Sequence, residues 1–126
     1  MGKEEEKTGR KVIASNRKAF HDYSVLEKLE AGLALVGTEV KSLRAGRVNF
    51  LDAFVTIKEG EAWLVKLHIS PYDFGNRMNH EPLRRRKLLL HRNEILRLDQ
   101  KVREKGLTLI PLGLHFMKGR VKLDLG

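Results

Sequence analysis

Strict alternation of apolar and polar residues is the feature that most limits what this chain can fold into. Val121, Leu123 and Leu125 alternate with Arg120, Lys122 and Asp124, and Leu29, Ala31, Leu33 and Leu35 alternate with Glu30, Gly32 and Ala34. A period of two describes a strand with one face buried and one in water. Further strands are predicted at Lys11–Ser15, Ala53–Ile57, Ala62–Ile69 and Leu107–Met117, with the Tyr23–Val36 stretch read as one long bent strand. Gly32 inside that strand predicts a bulge, a bend or a close backbone approach. Lys58-Glu59-Gly60-Glu61 reads as a four-residue hairpin loop and Lys118-Gly119 as a tight turn. The turns imply antiparallel pairing, and the strand–helix–strand rhythm of a parallel sheet is missing.

Two segments switch to a helical period. In Thr38–Arg44, Thr38 reads as an N-cap, Glu39 as a first-turn acid, and Lys41 and Arg44 as a basic ridge, with Gly46 ending the helix. In Asn93–Lys105, Ile95, Leu98 and Val102 share a stripe, Asn93 caps the start and Gly106 closes the end. The fold class is therefore β-dominated: an OB-like antiparallel barrel of about six strands with two or three flanking helices. Residues 1–10 read as a disordered tail and 11–126 as a single domain. Phe54 and Trp63 are assigned to the core and His115 to a strand surface. Pro71–Pro82 is read as a long loop.

Charge enters because it is localised. The chain has 25 Lys and Arg against 16 Asp and Glu, a formal +9. Arg84–Lys122 alone holds 12 basic and 3 acidic residues, so it carries the whole excess, and the remainder is balanced at 13 and 13. A concentrated positive field attracts polyanions; its bland counterpart is a solvated surface. Arg84, Arg85, Arg86 and Lys87 form an unbroken basic run, and Arg120 adds to the same segment. Tyr23, Phe50, Tyr72 and Phe74 are candidate stacking surfaces for unpaired bases.

Other chemistries find little purchase. With no cysteine, there is no disulfide, thiolate metal site or cysteine nucleophile. The five histidines lack metal-motif spacing, and His21-Asp22, if on a strand, point to opposite faces. No nucleotide-binding glycine loop or nucleophile elbow occurs, so no metal, no cofactor and no catalysis is expected. No segment is long and apolar enough for a membrane helix, and the charged start lacks a signal peptide's apolar core. The reading is a soluble, cytoplasmic, monomeric RNA-binding domain.

Several segments resemble the SmpB (small protein B, SsrA-binding protein) family. They are Asn16-Arg17-Lys18-Ala19, His21-Asp22-Tyr23, Glu30-Ala31-Gly32-Leu33, Gly37-Thr38-Glu39-Val40-Lys41-Ser42-Leu43-Arg44, His68-Ile69-Ser70-Pro71-Tyr72, Asn79-His80-Glu81-Pro82, Arg86-Lys87-Leu88-Leu89-Leu90-His91 and Lys105-Gly106-Leu107-Thr108. The resemblance implies an OB-like barrel that binds the tRNA-like domain of transfer-messenger RNA (tmRNA) and delivers it to stalled ribosomes in trans-translation. Elongation factor Tu and alanyl-tRNA synthetase are implied as indirect partners through tmRNA. By the same resemblance Glu30, Leu89 and Lys122 are RNA-contacting positions, with Asn16, His21, Tyr23, Gly32, Arg86 and Lys87 around them. Lys41, Arg44, Arg84, Arg85 and Arg120 extend the basic surface. For Leu89 two readings stand: packing on an exposed base, or burial in the core. The family's chains continue into a basic tail beyond the last strand, which is expected to be missing here because the sequence stops at Gly126. A general ribosome-binding barrel without tmRNA specificity is the alternative.

Overall fold

Each hairpin is closed by two residues that can take a left-handed backbone. The computed structural model describes residues 10–25, 27–72 and 79–126. In it Lys58 pairs with Glu61, and Glu59 and Gly60 have φ of 54° and 78°. Met117 pairs with Arg120 across Lys118 and Gly119, at 51° and 78°. Positive φ at both central residues matches the right-handed twist of the flanking strands. The first loop is thus two residues rather than the four expected.

Nine strands form among the described residues: β1 (Arg10–Ser15), β2 (Leu29–Leu33), β3 (Val48–Asn49), β4 (Phe54–Lys58), β5 (Glu61–Val65), β6 (His68–Ile69), β7 (Arg86–Leu89), β8 (Pro111–Met117) and β9 (Arg120–Leu125). Three helices accompany them: α1 (Arg17–Asp22), α2 (Gly37–Arg44) and α3 (Arg92–Lys105). Seven strands run antiparallel in the order β1-β8-β9-β2-β7-β5-β4, and β3 pairs separately with β6. The sheet closes on itself, because Val55 of β4 bridges Leu109, just before β8, through an N–H···O bond of 3.0 Å. Six strands therefore complete the ring, and β1 is added outside β8. Closure at that bridge shortens the exposed edge of the sheet, and β1 keeps an outer edge.

The expected Ala62–Ile69 strand breaks at Lys66, whose φ of 62° turns the chain. Only His68 and Ile69 resume pairing, with Val48 and Asn49. The long strand expected over Tyr23–Val36 narrows to Leu29–Leu33, and α1 stands before it. Asn16 makes that helix: its Oδ1 accepts from the Ala19 N–H at 3.2 Å. Arg10 belongs to β1 rather than to the tail; residues 1–9 lie outside the described residues, as do Phe74 and the centre of the Pro71–Pro82 loop.

The two longer helices start on different caps from those expected. Val36 precedes α2, and the Glu39 side chain reaches back to accept its N–H at 2.9 Å. Thr38 instead bonds His80 Nδ1 at 2.9 Å, and His80 Nε2 lies 2.8 Å from the Ile69 carbonyl. The carbonyl can only accept, so Nε2 carries the proton and Nδ1 accepts from Thr38. His91, not Asn93, precedes α3, with its N–H held by Glu94 at 2.9 Å. Gly106 ends α3 at φ 64°, as expected.

The barrel interior holds Ala31, Leu33, Leu64, Leu88, Leu114, Leu123 and Leu125, with Leu43 from α2. A smaller cluster of Ala19, Ile110 and Leu112, with Phe54 and Val25 against it, seats α1 on β8. Trp63, expected in the core, faces outward from β5, because its neighbours Ala62 and Leu64 take the inward positions.

Among the described residues two charged side chains lie inside. Glu39 is fully buried and meets Arg86 Nε at 2.6 Å and Arg84 Nη2 at 2.5 Å. Arg86, also fully buried, donates from Nη1 and Nη2 to the carbonyls of Leu67 and Pro82. Burial alone would raise the Glu39 carboxyl. The hydrogen bonds from Arg84, the Val36 N–H and Arg86, with the Arg86 charge, outweigh it and hold the group below its ordinary value. Removing one partner of a buried pair strands the other charge at a cost of about 3–5 kcal/mol. Glu39→Ala is therefore expected to lose about that much in urea unfolding, while Glu39→Leu combined with Arg86→Met loses far less. A depressed carboxyl gives stability that is complete above its unfolded value and lost as pH falls through the folded one. Wild type should accordingly lose stability below about pH 4 more steeply than Glu39→Gln; parallel acid profiles would contradict this.

Candidate nucleic-acid interface

Register decides which side chains share the outer face of the barrel. On β9, β2 and β7, Val121, Leu123, Leu125, Ala31, Leu33, Arg86 and Leu88 point inward. Lys122, Asp124, Glu30, Gly32, Lys87 and Leu89 therefore point outward. Gly32 pairs with Lys122 on one side and with Leu89 on the other, and Glu30 pairs with Asp124. Glu30, Lys122 and Leu89 thus converge on three adjacent strands, as expected of a shared surface.

Gly32 makes a shallow notch in this row. A Cβ there would lie 3.1 Å from Leu89 Cβ and 3.4 Å from its Cδ1, so the missing side chain lets Leu89 lie across β2. Of the bulge, bend or close backbone approach expected at Gly32, the register shows no bulge, and the group that approaches is the Leu89 side chain rather than backbone. Leu89 itself is 55% exposed, which excludes core burial and leaves an apolar surface available to a base.

The basic run splits by the same alternation. Arg84 and Arg86 turn toward Glu39, so Arg86, expected on the RNA surface, presents no group there. Arg84 is only partly exposed and also donates to the Ala34 carbonyl at 3.2 Å. Arg85 and Lys87 face out. The Arg85 guanidinium sits 5.0 Å from the Trp63 ring centre, and Lys87 pairs with Glu61 at 2.9 Å across half-exposed side chains. An ion pair so exposed is worth little and is easily exchanged for a phosphate.

Asn16 is half-buried. Besides capping α1, its amide donates to the Pro111 carbonyl at 2.8 Å, so it fastens α1 to β8. That fastening sets where His21 and Tyr23 project. Both are exposed, and the His21 ring meets Asp22 at 3.1 Å on the helix rather than pointing away from it on a strand. Lys41 and Arg44 are exposed on α2, over the rings of Tyr72 and Phe116 at 5.4 and 5.3 Å. They and Arg120, at the β8–β9 hairpin, stand on positions outside the Lys122–Gly32–Leu89 row. Phe50 packs against the core.

The sequence reading placed His115 on a strand surface, and the structure overturns that. It is fully buried on β8, with Nδ1 3.1 Å from Asp124 Oδ2 and Nε2 3.2 Å from Glu30 Oε2. Its pairing opposite Lys122 was legible only from the register. One ligand atom from each of Glu30, His115 and Asp124 lies within 4.8 Å of the others, the spacing of a possible cation site that was not expected. The two carboxylates, however, face different ring nitrogens, which suits a bridging imidazole better than convergent ligation.

A closed, β-dominated barrel with an exposed row of acid, glycine, cation and aliphatic residue belongs to the class of small nucleic-acid-binding barrels. The SmpB protein family model matches residues 13–126, and the chain belongs to that family. It is 63% identical over 116 residues to the SsrA-binding protein of Carboxydothermus hydrogenoformans, covering 92% of this chain and 78% of that one. It is 59% identical over 118 residues to the SsrA-binding protein of Desulfitobacterium hafniense, covering 94% and 76%. Its fold matches a chain in a solved structure described as "tmRNA-SmpB: a journey to the center of the bacterial ribosome". The TM-score is 0.75 and the identity 53%, over 90% of this chain and 80% of that one.

The notch makes a test of its own. Gly32→Val should cost about 1–3 kcal/mol by overpacking against Leu89, and Leu89→Ala in the same chain should return part of it. Strictly additive costs in a denaturation cycle would show that the two side chains do not collide.

Proposed function

We propose that this chain binds the tRNA-like domain of tmRNA and brings it to stalled ribosomes in trans-translation. The observation that carries the reading is the convergence of Glu30, Lys122 and Leu89 around Gly32 on one outer face. Membership of the SmpB family and 53% identity to a chain of a tmRNA–SmpB structure support it. In this reading Lys122 and Lys87 neutralise phosphates, Leu89 packs on a base and Glu30 accepts from a base or ribose. His21 and Tyr23 extend the surface from α1, and Asn16 holds that helix in place. Arg85, Lys41, Arg44 and Arg120 add long-range attraction. Arg84 and Arg86 serve the fold.

The protein acts by binding rather than by catalysis, as a monomer and in the cytoplasm, where ribosomes are. No described helix is long and apolar enough to cross a membrane. Elongation factor Tu and alanyl-tRNA synthetase meet it through the RNA. In gel-shift titrations tmRNA should bind far more tightly than unrelated hairpins of equal length; equal affinities would sink the reading. Lys122→Ala should weaken binding and reduce the slope of log affinity against log salt by about one. An unchanged slope would remove Lys122 from the phosphate contacts.

A further inference from the structure

Trp63 is the one tryptophan of the chain, and it stands outside the barrel. Ala62 and Leu64 take the inward positions of β5, so the indole is left half-buried on the outer face. A large aromatic ring kept out of the core is an informative exception to the usual partition. Its neighbours are cations. Lys87 pairs directly opposite it on β7, and the Arg85 guanidinium lies over its ring, 5.0 Å from the centre. Arg85 is two residues before Lys87, so it reaches the indole along the diagonal between the strands. Arg85 is itself exposed.

A guanidinium is planar, and its flat face stacks on aromatic rings and on bases alike. Held over an indole, it gives up less freedom when a ligand arrives than a loose arginine does. At an exposed site the pair adds little to the fold. The charge around it suits a polyanion. Lys58 is exposed at the end of β4, and Glu61 is the one acid among the residues of β4, β5 and β7. Glu61 is held by Lys87 across an exposed pair that a phosphate can displace. The place is also continuous with the row already described. Leu89 lies two residues beyond Lys87 on the same face of β7, beside Gly32 and one strand from Lys122. From Leu89 to Trp63 is one strand and two residues, roughly 8 Å on ordinary sheet spacings.

We propose that Arg85 and Trp63 form a stacking site for an unpaired base of tmRNA. The base lies on the exposed side of the guanidinium with the indole beneath it, and Lys87 exchanges Glu61 for the adjoining phosphate. The proposal rests on the tmRNA-binding reading above and extends its surface from the Lys122–Gly32–Leu89 row across β7 to β5. It gives Arg85 a planar contact in addition to long-range attraction. Every base has a π-face, so the stack positions a nucleotide without reading which one it is.

Trp63 is its own probe, because no other tryptophan contributes to the emission. The tRNA-like domain of tmRNA is titrated into the protein while emission is followed, and affinity is measured in parallel by gel shift. Emission should change in step with binding, and acrylamide should quench it less in the complex. Arg85→Lys separates stacking from charge, since it keeps the cation and drops the planar face. It should weaken binding about fivefold with the salt slope unchanged, whereas an Arg85 that acts by charge alone would let this variant bind like wild type. Trp63→Leu should weaken binding about tenfold, and Trp63→Phe, which keeps an aromatic face, should recover most of it. Arg85→Lys combined with Trp63→Leu should lose less than the product of the two single losses, because both act through one stack.

Unchanged emission and acrylamide quenching at saturating RNA, or wild-type affinity in Arg85→Lys, overturns the stack. So do affinity losses that track losses of stability in urea, which would make the pair a structural contact only. An emission change produced by ribosomes free of tmRNA and not by tmRNA assigns the face to the ribosome and overturns the proposal as well. If tmRNA is still selected over unrelated hairpins in the same gels, the stack falls and the proposed function stands. If that selectivity is missing, both fall.

Discussion

The buried Glu39–Arg86 pair is the contact on which the arrangement of the site depends. It joins the first turn of α2 to β7, and Arg86 continues to the carbonyls of Leu67 and Pro82. Thr38 reaches His80, and Ser42 donates to the Ser70 carbonyl at 2.7 Å. One polar network thus fixes the helix, the end of the long loop and a central strand. A charge inside a barrel is tolerated only when every donor and acceptor is used. Here the requirement sets the register of β7, because Arg86 must face in, and Lys87 and Leu89 must then face out.

The motifs that carried the family resemblance turn out to have two jobs. Gly37–Arg44 and Asn79–Pro82 supply Glu39, Thr38, Ser42 and His80, which act on the protein itself. Asn79 also bonds both backbone groups of Tyr72, holding the two described ends of that loop together. The Glu30-Ala31-Gly32-Leu33 and Arg86–His91 segments supply the outer row. A short sequence match does not separate these roles, since an arginine in a basic run looks the same whether it meets phosphate or glutamate. Alternation separates them once one residue of the strand is known to be inside.

The outer face is also less purely basic than the composition suggests. The net charge of the Arg84–Lys122 segment remains, but Arg84, Arg86 and Lys87 all have acidic partners. Glu30 and Asp124 put negative charge at the centre of the face. Such mixing trades some attraction for selectivity, because acidic groups favour ligands that bring donors and repel bare phosphate.

The sequence by itself determined the strand at Arg120–Leu125, the alternation within the longer stretch that narrows to Leu29–Leu33, the helix ending at Gly106 and the places of the two hairpin turns. These are local: a period of two, a capping glycine and a turn pair act over a few residues. The family was legible for the same reason, as short ordered segments. Only the tertiary structure decided that Arg86 is inside, that Trp63 is outside, that Leu89 is exposed, that Asn16 anchors a helix and that His115 lies buried beneath Glu30. The contacts that place three of them reach far along the chain: Arg86 to Glu39 over 47 residues, Asn16 to Pro111 over 95 and His115 to Asp124 over 9. Barrel closure at Val55 and Leu109 brings the two ends of the sheet together, and a local pattern cannot encode which distant strand a face will meet.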